Sequence, residues 1–491
     1  MKRSTTSRGL LLRVLGGSCV VGALIMGCTA REPVSPDENA FLPWSQAFRE
    51  VVGLLDYVES VGGEEEALAL EETLHGVLED GEPFPEGAAR ERLESWVQDN
   101  RKALLLFDAG SLRPRWAVPE VGAAELDFEP SGLAFFDLMT LKRLRARLHA
   151  ERGALDDATR SIEDLLRAGE LVAGGEGLLV HHLALGRNCQ LAVLRDVRWL
   201  ASRTEVPAIS LARVLLRLAR VSSVRAQLRR ALDVELHRFI LPSVEAMPTD
   251  GDTSELAHTL LGDERDSIGV ETLAAILEGH PAPFDRRDTE HLVSAHLAAI
   301  QGRLDEPWNA AAVQGLDGEN RVFLEKWPPA LSPSLARLFV TEEDADGESS
   351  DPEVIARACD ALRGTANPAG RYVVASLFWW SGGGAGLVEA AFLADAERRA
   401  TTALVALRLY LGRKGRLPDA LDELVAEGIL ERLPRDPFGS GPLGYSRERR
   451  LMWSVGPDGG EDGEGGLLDA EGLPRPTVWP APGFPEERRD G

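Results

Sequence analysis

The sequence predicts a mainly α-helical protein, an irregular array of helical hairpins followed by a small α+β module near the C-terminus. Three observations lead there. From Trp44 to about Gly302, apolar residues recur at helical spacing, interrupted by Gly, Pro and acidic turns. A second apolar seam runs through Leu393, Ala396, Ala400, Ala403, Leu407 and Tyr410 at intervals of three and four. After Leu433 the pattern changes to short strands separated by Gly and Pro.

With 491 residues and 44% hydrophobic composition, the chain is too long for one small core. Its 54 basic and 79 acidic residues give a net charge of −25. Such a balance repels phosphate backbones and anionic lipid, and no basic stripe stands out against it, so nucleic acid is not expected as a partner. Cys19, Cys28, Cys189 and Cys359 are too few and too scattered for a disulfide framework or a CxxC metal cluster.

Taking the elements in order, Met1 to Arg13 carries four basic and no acidic residues, and Val14 to Met26 is a run of apolar or small ones. That is the order of a secretory signal, and the run is short for a spanning helix. Ile25-Met26-Gly27-Cys28 resembles the lipobox of bacterial lipoproteins. The resemblance implies cleavage before Cys28 and its lipidation, so that several acyl chains anchor the protein. Thr29, where an aspartate would signal inner-membrane retention, implies the outer membrane. Residues 1–27 thus read as a signal peptide and 28–43 as a polar tether.

Residues 44–340 read as a helical domain, with helices expected at 44–60, 64–79, 86–108, 134–152, 155–173, 177–202, 207–221, 223–246, 267–279 and 288–302. One pair is the best specified. Leu138, Leu141, Leu144 and Leu148 line a face of its first helix, Gly153 allows a turn, and Ala158, Ile162, Leu165, Gly169 and Val172 line the second. This resembles a single tetratricopeptide-like hairpin, with Ala158 as the small residue at the crossing, although no 34-residue period surrounds it. Reactive side chains in the domain do not converge. His182 and Cys189 lie on one helix face but about 10 Å apart along its axis, and Cys189 reads as a core residue. His291 and His296 point away from each other. No HExxH, GxSxG, Walker A or dinucleotide motif occurs, and the glycine-rich run Ser381 to Gly386 reads as a flexible break between helices.

Residues 341–352 form an acidic linker. Counted as an EF-hand-type loop, Glu342, Asp344, Asp346, Ser350 and Glu353 fall at positions 1, 3, 5, 9 and 12, with Gly347 at the turn, so this stretch is a second candidate for calcium. Pro352 and Ser349 depart from that pattern, and a solvated linker is the simpler reading.

Residues 353–480 combine a long helix with the α+β module, and 481–491 form a charged, proline-rich tail expected to be disordered. The order Gly415-Arg416-Leu417-Pro418, Leu421-Asp422-Glu423-Leu424, Leu433-Pro434-Arg435-Asp436-Pro437-Phe438-Gly439, Pro442-Leu443-Gly444-Tyr445 and Trp453-Ser454-Val455-Gly456-Pro457-Asp458-Gly459 resembles the C-terminal globular part of the major pseudopilin of type II secretion. The likeness covers roughly residues 390 to 480, under a fifth of the chain. It implies a calcium loop in which Asp458 matches the first ligand and Asp462 and Asp469 offer further oxygens, while Pro476 departs from the family pattern. From the residues alone, Asp436 is expected to bond nearby amides in a turn, and Tyr445 and Trp453 to lie on a two-stranded ribbon against the long helix.

The expected function is that of a non-catalytic scaffold or protein-binding lipoprotein of the cell envelope, tethered to the membrane and contacting envelope proteins. Two other classes remain open. One is an envelope hydrolase whose catalytic groups meet only in the fold, and the other is a type II secretion accessory component.

Overall fold

A computed structural model describes residues 35, 37–61, 64–116, 128–175, 180–249, 253–261, 267–278, 280–324, 356, 359–362, 364–377, 383–457 and 478–480. The fold is mainly helical, with a small three-stranded sheet. In chain order the helices are α1 (Phe41–Glu50), α2 (Leu54–Val61), α3 (Glu64–His75), α4 (Gly87–Asp99), α5 (Arg101–Ser111), α6 (Phe128–Glu151), α7 (Leu155–Gly174), α8 (Val180–Ser202), α9 (Ala208–Arg220), α10 (Val224–Glu235) and α11 (Leu241–Ala246). They continue as α12 (Thr253–Leu261), α13 (Ser267–Glu278), α14 (Arg286–Asp305), α15 (Ala310–Gln314), α16 (Gly318–Leu324), α17 (Pro368–Ser376), α18 (Gly383–Lys414) and α19 (Asp422–Ala426). The strands are β1 (Gly444–Ser446), β2 (Leu451–Trp453) and β3 (Val478–Pro480).

Two compact units are assembled from discontinuous stretches of chain. One holds the described residues of Arg31–Pro119, Asp127–Leu228 and Phe392–Gly491, and the other those of Arg229–Ala391. The divisions fall inside α10 and α18. The acidic stretch 341–352 lies outside the described residues.

In the first unit, α6 and α7 are joined by a three-residue turn. Gly153 sits there at φ +75°, and Ala154 and Gly153 donate their N–H groups back to His149 and Ala150, which satisfies the carbonyls at the end of α6. Leu138, Leu141, Leu144 and Leu148 are buried, as are Ala158, Ile162, Leu165 and Val172 on α7. Small residues bring α7 and α8 together, since a Cβ on Gly186 would lie 2.8 Å from the Ala173 amide nitrogen.

Two expected helices are each broken in two, and the breaks are bonded to each other. Sequence spacing predicts continuous helices at 44–60 and 86–108, but the chain leaves the helix at 51–53 and again at Asn100. The fully buried Asn100 amide accepts from Val52 N (2.8 Å) and donates to Val52 O (3.1 Å), while Trp96 Nε1 donates to the same carbonyl (2.9 Å). One side chain therefore satisfies both backbone groups that the first break exposes.

At the C-terminal end of this unit the seam of α18 is buried from Ala396 to Tyr410. The sheet order is β1-β2-β3 with both pairs antiparallel, so β3 adds a third strand to the expected ribbon. Phe438 meets Phe392 of α18 at 5.7 Å between ring centroids, and Trp479 Nε1 of β3 donates to Glu397 of α18 (3.2 Å).

The second unit is organised around α14. Asn367 adopts a left-handed conformation (φ 51°) ahead of α17, accepts from the Asp285 and Gly370 amides, and donates to Asp285 O, Asp288 and Thr289. Here the glycine-rich run departs from the expected flexible break. Gly383 (φ +78°) opens α18, and Gly384 and Ala385 donate their N–H groups to Asp317. A side chain at Gly383 would overlap that carboxylate, so glycine is what allows the acid to cap the helix.

Candidate functional site

Chemistry-bearing side chains in the first unit concentrate on α6, which is buried on most of its circumference. Lys142, Arg143 and Arg147 are each at most 5% exposed. Lys142 Nζ bonds Asp164 of α7 (2.9 Å) and Asp108 of α5. Arg143 donates to Asp196 of α8 (2.6 Å), to Glu79 (2.6 Å) and to the Leu78 carbonyl (2.9 Å). Arg147 donates to the other oxygen of Asp196 (3.0 Å) and lies 3.8 Å above the Trp199 ring. Burial pulls the Arg147 guanidinium below its ordinary value, and Asp196 opposes that shift. Each acid here is held by at least one cation, so the arrangement ties four helices together and leaves no carboxylate free to act as a base.

A different environment surrounds Asp137, one turn before this cluster. A methyl group on Gly53 would lie 2.9 Å from Asp137 Oδ2 and 3.7 Å from Asp56 Oδ2, so two carboxylates converge on that glycine at the start of α2. Burial pushes the Asp137 carboxyl up to about 6, the Leu54 amide opposes the shift, and the charge of Asp56 adds to it. Asp137 can therefore hold a proton closer to neutral pH than an ordinary carboxyl does.

The outward surface of the same unit has another character. Helix α9 buries Ser210, Leu211, Val214 and Leu218 and leaves Ile209 and Leu216 69% and 62% exposed. Leu105 of α5 and Leu112 just after it are similarly bare, and α7 packs against both α5 and α9. Charged residues of α7 tie these helices together: Glu163 accepts from Arg213, Glu170 accepts from Arg217 (2.5 Å), and Arg167 donates to the Leu112 carbonyl (3.1 Å). Burial, opposed by Glu170 and reinforced by Arg167 and Arg220, lowers the proton affinity of Arg217. The sequence reading found no basic stripe, yet Ala208–Arg220 carries three arginines and no acid. That local excess was the available signal, hidden by the average of the chain.

In the C-terminal ribbon Asp436 is 4% exposed and accepts from Phe438 N (2.9 Å), Ser454 Oγ (2.7 Å) and Val455 N (2.8 Å). The expected turn bond is present, and two further bonds clamp the turn to the chain after β2. Glu423 accepts from Tyr410, Arg416 and the Asp419 amide, and these bonds, the Tyr410 hydroxyl first, draw its carboxyl down to about 2. Tyr445 donates to the Pro418 carbonyl (3.0 Å). The submotifs are thus joined by side-chain bonds that position backbone.

Cys189 is fully buried, and burial pushes its thiol up, so it is a core residue and not a nucleophile. In the second unit His296 Nε2 lies 3.8 Å from Asp317, and burial lowers its proton affinity. Cys28, the loop residues Glu342, Asp344, Asp346, Ser350 and Glu353, and Asp458, Asp462 and Asp469 all lie outside the described residues. Among the described residues no group of three or more His, Cys, Asp or Glu is placed to hold a metal, and no helix is long and apolar enough to cross a membrane. Comparison with family models, with curated proteins and with solved structures finds no match to this chain.

Proposed function

We propose that this protein is a membrane-tethered lipoprotein of the cell envelope that acts as a non-catalytic scaffold or protein-binding module. The observation that carries the reading is α9. Its inward face is apolar, and on the outward side Ile209 and Leu216 stand clear of the unit's own core beside Arg213, Arg217 and Arg220. A helix with apolar residues on opposite faces is suited to packing between two bodies. The α6–α7 pair, read as a tetratricopeptide-like hairpin, supplies a rigid base for that face, because its charges are locked in pairs.

Under this reading, acyl chains on Cys28 hold the protein at the outer membrane, and residues 28–43 give the helical array its reach. The pseudopilin-like module stiffens the C-terminal end of the long helix, with calcium bound by Asp458, Asp462 and Asp469 when present. Changing Cys28→Ala and fractionating cells tests the tether, and the expected result is release of the protein from membranes. Sedimentation of the wild-type protein from detergent-solubilised envelopes tests the scaffold. A particle no larger than the single chain would rule it out.

A further inference from the structure

Outward from α9, the residues Ile209, Ala212, Leu216 and Ala219 follow one another at intervals of three, four and three. That is the seam spacing by which one helix receives another, and it runs for about 15 Å, or three turns. Ile209 and Leu216 project as knobs, while the two alanines leave room for a neighbouring backbone.

The charges beside the seam narrow the choice of occupant. Arg213 and Arg217 are engaged by Glu163 and Glu170. Arg220 at the end of α9 and Arg167 on α7 have no carboxylate within ion-pair distance among the described residues, and Arg167 reaches only the carbonyl of Leu112. Arg167, Arg213, Arg217 and Arg220 outnumber Glu163 and Glu170 by two, so an otherwise acidic chain presents a local cationic excess beside the exposed Ile209 and Leu216. A second copy docking through the same helix would set arginine against arginine. An anionic lipid surface would need large apolar residues along the whole stripe, and the alanines between and beyond Ile209 and Leu216 insert poorly. A partner helix with its own apolar stripe and acidic flanks satisfies both features.

We infer that the outward face of α9, flanked by Arg167 and Arg220, is the docking site for an acidic amphipathic helix of another envelope protein. The inference rests on the scaffold reading and adds the chemistry of the partner. It requires a complex in which Leu216 is buried by a segment bearing apolar residues at spacings of three and four and more acidic than basic side chains.

The test places a photo-reactive side chain at position 216 in the full-length chain, with a control at the exposed Leu68 of α3, and sequences the cross-linked peptide after irradiation of intact cells. The expected product joins position 216 to an acidic, helically patterned segment of a different protein, and Arg220→Glu lowers its yield five-fold or more. Thermal unfolding of that variant should match the parent, since Arg220 is exposed. A cross-link to a second copy, to lipid or to a basic segment overturns the inference, as does the absence of any adduct at 216. If sedimentation still shows a larger particle in those cases, the scaffold stands and only this docking site is lost. A single-chain particle removes the scaffold itself.

Discussion

Helix α6 places buried charge in two different settings along one continuous element. Its C-terminal half carries Lys142, Arg143 and Arg147, and each meets acids brought by neighbouring helices. Its N-terminal half carries Asp137, which faces a backbone amide and a second carboxylate. The difference teaches that burial alone does not set the behaviour of an ionisable group. Asp196 is more deeply buried than Asp137, yet it accepts from two guanidiniums, whereas Asp137 accepts from a backbone amide and is pushed towards its neutral form.

The sharpest way to break this comparison is to remove the acid shared by the two arginines. Asp196→Ala leaves Arg143 and Arg147 buried with part of their compensation gone, and the expected loss is about 3–5 kcal/mol in urea unfolding of the full chain. A loss near zero would mean that the cations find water or other acids, and that the pairing does not decide the stability of this half.

A carboxylate held only by neutral donors provides the next test. Asp436→Ala strands the Phe438 and Val455 amides and the Ser454 hydroxyl in a buried turn, and about 3 kcal/mol is the expected cost. Asp436→Asn retains an acceptor and should cost less. Equal losses for the two would show that charge matters at this site, not geometry.

How much of this was legible in the sequence depends on the range of the interactions involved. The apolar face of α6 could be read from the spacing of Leu138, Leu141, Leu144 and Leu148, because periodicity is local. The cations between them could not, since a lysine or arginine in a helix ordinarily reads as solvated, and their partners lie from 22 to 65 residues away. The breaks at Val52 and Asn100 were hidden for the same reason, as each is stabilised by the other across 48 residues. Helix α9 was legible as a helix. Its outward side is marked by Arg213, Arg217 and Arg220, but that Ile209 and Leu216 stand uncovered beside them needed the fold. The turn bond of Asp436 was readable since Phe438 is two residues on, while its bonds to Ser454 and Val455 needed the fold.

The N-terminal half of α6 yields a prediction in pH. The folded-state value of Asp137, about 6, lies above its ordinary 3.8, so the folded protein binds the proton more tightly than the unfolded chain. This group therefore penalises folding least below pH 4, and stability falls as pH rises from about 4 through about 6, then levels. Asp137→Asn keeps an acceptor for the Leu54 amide and removes the titration. The variant should be about 2 kcal/mol more stable than the parent at pH 7.5 and should lose the slope between pH 4 and 6. An unchanged slope would mean that Asp137 is not the group that takes up the proton.

The smallest effect should come from the rim of the paired half. Arg145 bonds Asp108 at 2.7 Å with a side chain that is 20% exposed, but Lys142 already holds the same carboxylate from the buried side. Removing the outer cation leaves the acid compensated and water able to replace the lost bond. Arg145→Ala is therefore expected to cost about 0.5 kcal/mol, an amount that added salt should shrink further. Should Arg145→Ala cost as much as Asp196→Ala, the cluster would be one indivisible network, and the contrast between its buried centre and its wet edge would fail.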